Sequence, residues 1–417
     1  MNKKGFISMT LVYTFLVLFL FLMLGVLNAY AHKNKFLEAI NDKIDLRFTT
    51  PDNYGNPILK AMMDRSIAVE SGVIDYSKTS YGEYYTASGT QRDTTAMTNG
   101  LYYTEVVEDE DNNKVHMTED DKIVYFYRGI ENDNFIRLGN MCFRILRSNE
   151  DESIRIAYYG YYGKMKEGYY GCQMDIEGLP KASYNTTSID NRYVGYMFGT
   201  DNTTYALTHT NTNSSDIKKA LDKWYEDNIK GTNYEKYIDD QVFCNERKVG
   251  KGGVLETITY TEYGFQSNNT IYASLRRNGT GGDTGRTISM SVAEPIFKCE
   301  QDNDKFTKSS SKGNKSLTYP IGTLTADEFI VAGSTFQIDN PAYFLSYGVD
   351  FWTMTPSTFT NGTAKAISVT STGRLIESDV TETHYILPVL SLKNTTLVDD
   401  SPYNNGNLNS PFYVKED

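Results

Sequence analysis

Four histidines (His32, His116, His209, His384) and four cysteines (Cys142, Cys172, Cys244, Cys299) are the whole supply of such side chains in a chain of 417 residues. A nucleophile with its base, or a zinc cage, needs residues of these types gathered in space. None falls in an HExxH, GxSxG or CxxC arrangement, and no Walker loop or EF-hand spacing occurs. His209, in THTNTNSS, reads as a turn residue rather than as a base. The run GTGGDTG before Arg286 lacks the preceding strand and following helix of a phosphate cradle, so it reads as a flexible loop. The acidic stretches EDEDNN (108–113) and EDD (119–121) could offer oxygen ligands to calcium, but read better as solvated turns. Asp327 and Glu328 are the only acids inside a strongly patterned motif, and there a capping box of Thr325 and Glu328 accounts for the glutamate. The expectation is therefore no catalytic residue, no metal and no cofactor.

What the composition does offer is aromatic surface. There are 33 tyrosines, many adjacent: 84–85, 102–103, 158–159, 161–162 and 169–170. Neighbours on a strand face opposite sides, so each pair sends one ring inward and one outward. Exposed tyrosine amid Asn, Thr and Ser gives rigid contact area at low entropic cost, and the same planes can stack on sugars. Tyrosine also simply favours strands.

The elements carrying these residues are mostly short strands. PILKAMMDRSIAVES (57–71) reads as a helix with proline at its first position and Gly72 at its end. Residues 75–100 are polar, aperiodic and rich in Ser, Thr and Gly, which predicts a linker. From Leu101 come LYYTEVV, KIVYFYRG, FIRLG, MCFRILR and SIRIAYYG, separated by turn formers at a spacing of an antiparallel meander. One helix interrupts them, capped by Ser214 or Ser215, with Ile217, Leu221, Trp224, Tyr225 and Ile229 on one face. Strands return in FWTMTP, AKAISVT and HYILPVLSLK. The fold class expected is α+β: an N-terminal transmembrane helix and stalk (1–48), a helix and linker (49–100), and a β-rich head in two halves (101–240 and 241–417). Forty-one Lys and Arg against 53 Asp and Glu give a net charge of −12, which argues against nucleic acid as a partner.

From Phe6 to Ala31 no residue is charged, and the stretch is long enough to cross a bilayer as a helix. Lys3 and Lys4 precede it, which predicts a cytoplasmic N-terminus and an extracytoplasmic head. Ala29-Tyr30-Ala31 fits signal-peptidase cleavage, yet the apolar run exceeds a signal's core. A helical stripe of Phe36, Ile40 and Ile44 also continues beyond it, so a retained anchor is preferred. Lys3-Lys4-Gly5-Phe6 before such a helix resembles a type IV prepilin N-terminus, cut after the glycine. Thr10 stands where that family expects glutamate, which puts subunit docking through a buried carboxylate in doubt.

Four cysteines outside the cytoplasm suggest two disulfides, and three connectivities are open. The run YFYRGIENDNFIRLGNMCFRILRSNEDESIRIAYYG, together with YVGYMFG, THTNTNSSDIKKALDKWYEDNI, VFCNERKV, IYASLRRN, LTYPIGTLTADEFIVAG and FWTMTPSTF, resembles segments of uncharacterised membrane-anchored surface proteins of Firmicutes and Mollicutes-like bacteria. The resemblance covers most of Leu101 to Lys393, and implies the pairing Cys142–Cys172 and Cys244–Cys299. The C-terminal third is distantly similar to C-type-lectin-like and formylglycine-generating-enzyme domains. Leu387 replaces the arginine of their Arg-Pro-Val strand, and no cysteine follows Cys299, so the oxidase activity is not implied. Those folds place Trp352 in the core. The contact candidates are then the loops beside it: Asn278, Gly279 and Arg286 in one, Thr358 and Asn361 in the other. The function expected is a single-pass, disulfide-stapled surface protein whose head binds a surface glycan or protein, adhesin-like or minor-pilin-like, with the membrane and pilus-like subunits as further partners. The alternative is a cell-surface enzyme acting on carbohydrate or peptide.

Overall fold

The computed structural model describes residues 56–416 apart from 87–88, 105, 109–113, 120–121, 167, 201–202, 251–253, 256–257, 260–268, 279–292, 337 and 400–402. The expected membrane helix, stalk and prepilin-like tip lie outside the described residues. Among the described residues no helix is long and apolar enough to cross a membrane.

Two sheets organise the head, and the α+β class with few helices is what forms. Ten strands make the first sheet. At its centre Met141–Ser148 and Ile154–Lys164 run antiparallel, alternating large apolar side chains toward a core holding Phe143, Ile145, Ile154 and Ile156. Phe135–Leu138 and Tyr125–Arg128 line the outer edge of the first of these strands, and Tyr170–Met174 and Val389–Leu392 pair with the second. The second sheet has six strands built round Phe351–Thr360 and Thr363–Val369.

The meander expectation needs correcting in three places. Val69–Glu70 runs parallel to Gly100–Tyr103, Phe412–Val414 parallel to Phe135–Leu138, and Phe351–Thr360 parallel to Thr383–Ile386. A parallel neighbour needs a crossover, and here long connections bring distant stretches together. Val389–Leu392 lies against Ile154–Ala157, so the two halves of the head share one sheet within a single compact unit, Gly55–Asp417.

The stretch 75–100 is likewise no linker where it is described. Ser80 donates its amide to Gly333 O at 3.1 Å, and Asn340 Nδ2 reaches the Ser80 hydroxyl. Arg128, fully buried, donates to Thr98 Oγ1, to Lys78 O and to the Ile330 and Val331 carbonyls at 2.6 and 2.9 Å. Those two carbonyls end the helix Ala326–Ala332, where a cation is favoured by the helix dipole. Polar composition hid a segment held by hydrogen bonds rather than by apolar burial.

The helices start as the sequence implies. Asn56 caps Pro57–Arg65, with proline at the first position, although the helix stops at Arg65 rather than near Gly72. Beyond it Ser66 turns extended, and the chain goes on to pair Val69 with Tyr102. Ser215 caps Asp216–Asn228, whose Ile217, Leu221, Trp224 and Tyr225 are buried. Trp224 meets Tyr158 edge-on at 5.1 Å, which fixes this helix on the first sheet. Trp352 is fully buried, donates Nε1–H to Ala182 O at 3.1 Å, and is a core residue.

Disulfides join Cys142 to Cys172 and Cys244 to Cys299, the pairing implied by the resemblance. The first crosses the Ile154–Lys164 strand and packs with Phe135. The second links the Phe243–Cys244 strand to the segment before Lys305–Phe306, its antiparallel partner.

Candidate functional site

A cleft of about 260 Å³ opens where the first sheet, the helix Ala326–Ala332 and the Cys244–Cys299 disulfide meet. Its inner wall follows from strand register. Arg155 stands directly opposite Arg147 on the paired antiparallel strands, a placement that sets two like charges side by side. Glu328 resolves the conflict: its Oε1 accepts from Arg147 Nε at 2.9 Å and from Arg155 Nη1 at 3.2 Å. Its Oε2 accepts from the Thr325 amide, so the expected capping box is present and the same carboxylate serves both ends. Burial works to raise the Glu328 pKa, but Arg155 and Arg147 outweigh it and hold it below the usual carboxylate range. Burial pulls the Arg155 pKa down to about 10, with Arg147 adding to that and Glu328 opposing it. The guanidiniums also lie over aromatic rings, Arg147 on Phe297 at 4.8 Å and Arg155 on Phe243 at 4.5 Å.

Asp327 sits beside this triad and is held by five donors. Its oxygens accept from Ser274 Oγ, Arg277 Nε and Nη2, Asn278 Nδ2 and the Ile296 amide, all between 2.7 and 3.1 Å. Four of these five bonds end on Oδ1, and the carboxylate fastens the helix Ala273–Asn278 to Ala326–Ala332.

Glu246 is the third acid of the wall. The disulfide places it near Glu300, since the two glutamates follow Cys244 and Cys299 by two residues and one. Burial pushes the Glu246 pKa up to about 8 against the pull of Arg277, with Asp327 and Glu300 adding to the rise. Glu300 moves the other way: its own burial is outweighed by Lys248, 2.7 Å away, and by its bond to Glu246. A proton shared by the pair is therefore favoured on Glu246 over Glu300.

A different surface lies along the hairpin Ile154–Lys164/Tyr170–Met174. Tyr161, Tyr169 and Tyr170 are each about half exposed and Met174 is 40 % exposed, with Tyr170 and Met174 on one side of the hairpin and Tyr161 on the other. Tyr162 stacks on Tyr170 at 6.2 Å, and the Arg137 guanidinium is held between the Tyr162 and Tyr413 rings at 4.4 and 4.0 Å. The adjacent pairs do not divide as expected: Tyr158 is buried and Tyr159 packs against Phe135 and the Cys142–Cys172 disulfide, whereas Tyr169 and Tyr170 are both exposed.

The loop candidates are not brought together as a surface among the described residues. Asn278 is buried against Asp327, and Gly279 and Arg286 lie outside the described residues. Thr358 is buried within its strand and donates to Glu377 Oε2 at 3.1 Å. Asn361 alone is exposed, at a two-residue turn with Gly362, φ 51° and 72°, closing the pair Thr360–Thr363. What was read as a loop from Thr358 to Thr363 is a strand continuing into a tight Asn-Gly hairpin, and that dipeptide was the available signal. His209 caps a short helix with Nδ1 against Tyr205 O, and burial and the nearby Arg247 lower its pKa to about 4. Among the described residues no three His, Cys, Asp or Glu side chains gather as a metal site. Sequence reading passed over Arg147, Arg155 and Glu246, although arginines inside otherwise apolar strands and glutamates next to paired cysteines were there to notice.

No family model, no curated protein and no solved structure matches this chain.

Proposed function

We propose that the chain is an extracytoplasmic surface protein, held at the membrane by its apolar N-terminal segment, whose head binds a partner without turning it over. The resemblance to uncharacterised membrane-anchored surface proteins supports this reading, and so do two disulfides, which persist in oxidising compartments. The observation that carries it is the set of exposed rings of Tyr161, Tyr169 and Tyr170, held on both sides of a disulfide-braced hairpin and left open to solvent. Rigid amphipathic rings on a fixed scaffold suit capture of a surface glycan or protein. Replacing Tyr161, Tyr169 and Tyr170 by serine is expected to leave the Tm nearly unchanged and to abolish attachment to the natural surface. Unaltered attachment overturns the assignment. Protease shaving of intact cells is expected to release the head and leave an N-terminal membrane-bound fragment.

A second reading, a surface enzyme acting on carbohydrate or peptide, has one observation in its favour. Glu246 is a buried acid in a cleft, and burial pushes its pKa up to about 8, the range in which a general acid works. Its neighbours Asp327 and Glu328 are committed to arginines and amides, so the paired free carboxylate of a glycosidase has no counterpart among them. Turnover in a glycan or peptide screen, lost in Glu246→Gln, would replace the binding reading.

A further inference from the structure

Strand register sets one row of side chains on a single side of the first sheet. Tyr413 stands opposite Arg137, Arg137 opposite Cys142, and Cys142 opposite Gly160, with Tyr162 two residues further along and opposite Cys172. Directly opposed residues share a side, and so do residues two apart on a strand. Tyr413, Arg137, Tyr162, Lys164 and Tyr170 therefore lie on one side of the sheet and Tyr161 on the other. Within this row the Arg137 guanidinium lies between the Tyr162 and Tyr413 rings at 4.4 and 4.0 Å, and Tyr162 stacks on Tyr170. Tyr170 is 57 % exposed, so the stack ends on a ring largely open to solvent.

The cation inside the stack is short of acceptors. Arg137 Nη1 donates to Gly139 O at 3.2 Å, its Nε–H is buried with no acceptor, and its Nη2 has none among the described residues. The acids around it are committed elsewhere: Glu416 accepts from Tyr234 Oη and Asn233 Nδ2, and Asp399, opposite Tyr413, is not free. Lys164, exposed and directly opposite Tyr170, and Lys166 in the adjoining turn have no acidic partner among the described residues. The acid next to them in sequence, Glu167, lies outside the described residues. A charged donor held in place with acceptors missing is where a ligand oxygen gains what the protein does not supply.

The geometry points to an acidic glycan as the ligand of this side of the hairpin: one sugar ring lies on Tyr170, and the carboxylate of a uronic acid residue in the same oligosaccharide meets the edge of Arg137, with Lys164 beside the ring. A guanidinium clasped by two rings has both faces occupied and offers only its edge, in a slot one planar group thick. A planar carboxylate enters such a slot with both oxygens in the guanidinium plane, which the tetrahedral oxygens of a phosphate or sulfate ester do not. The apolar C–H face of a sugar suits an exposed tyrosine ring, and so rigid a ring loses little freedom on contact. The inference rests on the reading of these tyrosines as a capture surface and narrows it to one side and one ligand class.

Calorimetry on the full chain in detergent tests it, with oligogalacturonate as the probe. Its methyl ester keeps the sugar without the charge, polyglutamate keeps the carboxylates without the sugar, and dextran sulfate replaces the planar anion by a tetrahedral one. Oligogalacturonate is expected to bind, and each comparison at least tenfold more weakly. Arg137→Gln and Tyr170→Ser are each expected to weaken it tenfold or more, while Lys223→Ala, in an exposed pair with Asp227, leaves it unchanged. Because Arg137→Gln could fail by misfolding, Lys164→Gln serves beside it: at this exposed residue binding is expected to weaken several-fold at an unchanged Tm and to depend less on salt. No binding by the parent chain, a comparison bound as tightly as the probe, or unchanged binding by a folded Arg137→Gln or by Lys164→Gln would each overturn the inference. Attachment to the natural surface separates it from the reading beneath it. Attachment lost when Tyr161, Tyr169 and Tyr170 become serine, yet intact in Arg137→Gln, removes the acidic glycan and leaves the capture surface standing.

Discussion

Glu246 makes the stability of the head depend on pH in a direction opposite to that of most carboxylates. Its folded pKa of about 8 lies above the ordinary 4.5, so between those values the folded chain holds a proton that the unfolded chain has lost. Stability from this group is complete below 4.5 and drains away as the pH rises through 8. Thermal melts from pH 5 to 8.5 are expected to show a falling Tm, and Glu246→Gln is expected to flatten the slope. An unchanged slope in the variant would remove Glu246 as its source. Asp151 works in the usual sense: burial is outweighed by bonds from Lys312, Ser153 and Gln241, and its pKa falls to about 2. Its contribution is present above the ordinary 3.8 and is lost as the pH drops through 2, well outside the window of the Glu246 effect. In the core, Trp352→Ala removes a fully buried indole and is expected to cost about 3–5 kcal/mol by denaturant titration.

The hairpin turn at Asn361-Gly362 and the two disulfides stabilise the head in different ways. Gly362 sits at φ 72°, a conformation that a β-carbon penalises, so Gly362→Val is expected to destabilise by roughly 1–2 kcal/mol without changing the surface chemistry. Each disulfide closes a long loop, with separations of 30 and 55 residues, and each is expected to contribute roughly 3–4 kcal/mol. Reduction in denaturant titrations checks this. These elements also mark what the sequence revealed. Capping residues at Ser215 and Thr325, the apolar face of Asp216–Asn228 and the run of short strands were readable because each is a local pattern. The hydrogen-bonded stretch 75–100 was not, since its order comes from distant partners such as Arg128 and Gly333. The charged triad of the cleft was equally hidden: Arg147 and Arg155 acquire their meaning only once strand register sets them opposite each other and a helix 173 residues further on brings Glu328 between them.

In the molecule as a whole, neither half of the head can close its sheet without the other. Val389–Leu392 covers the edge of Ile154–Ala157, and Phe412–Val414 covers Phe135–Leu138. A fragment ending at residue 240 is expected to lack a cooperative thermal transition, whereas residues 55–417 are expected to melt in one step. Two independent transitions in the longer piece would contradict the shared sheet. The same strand order sets a clock on synthesis. The residues that complete the first sheet leave the ribosome long after those they pair with, so an early portion of the chain must wait, with a strand edge unpaired, for a partner encoded some 270 residues later. Folding of this head is thereby postponed until those later strands are made, which keeps it extended for as long as it must be threaded anywhere and makes a product cut short of them a sticky one.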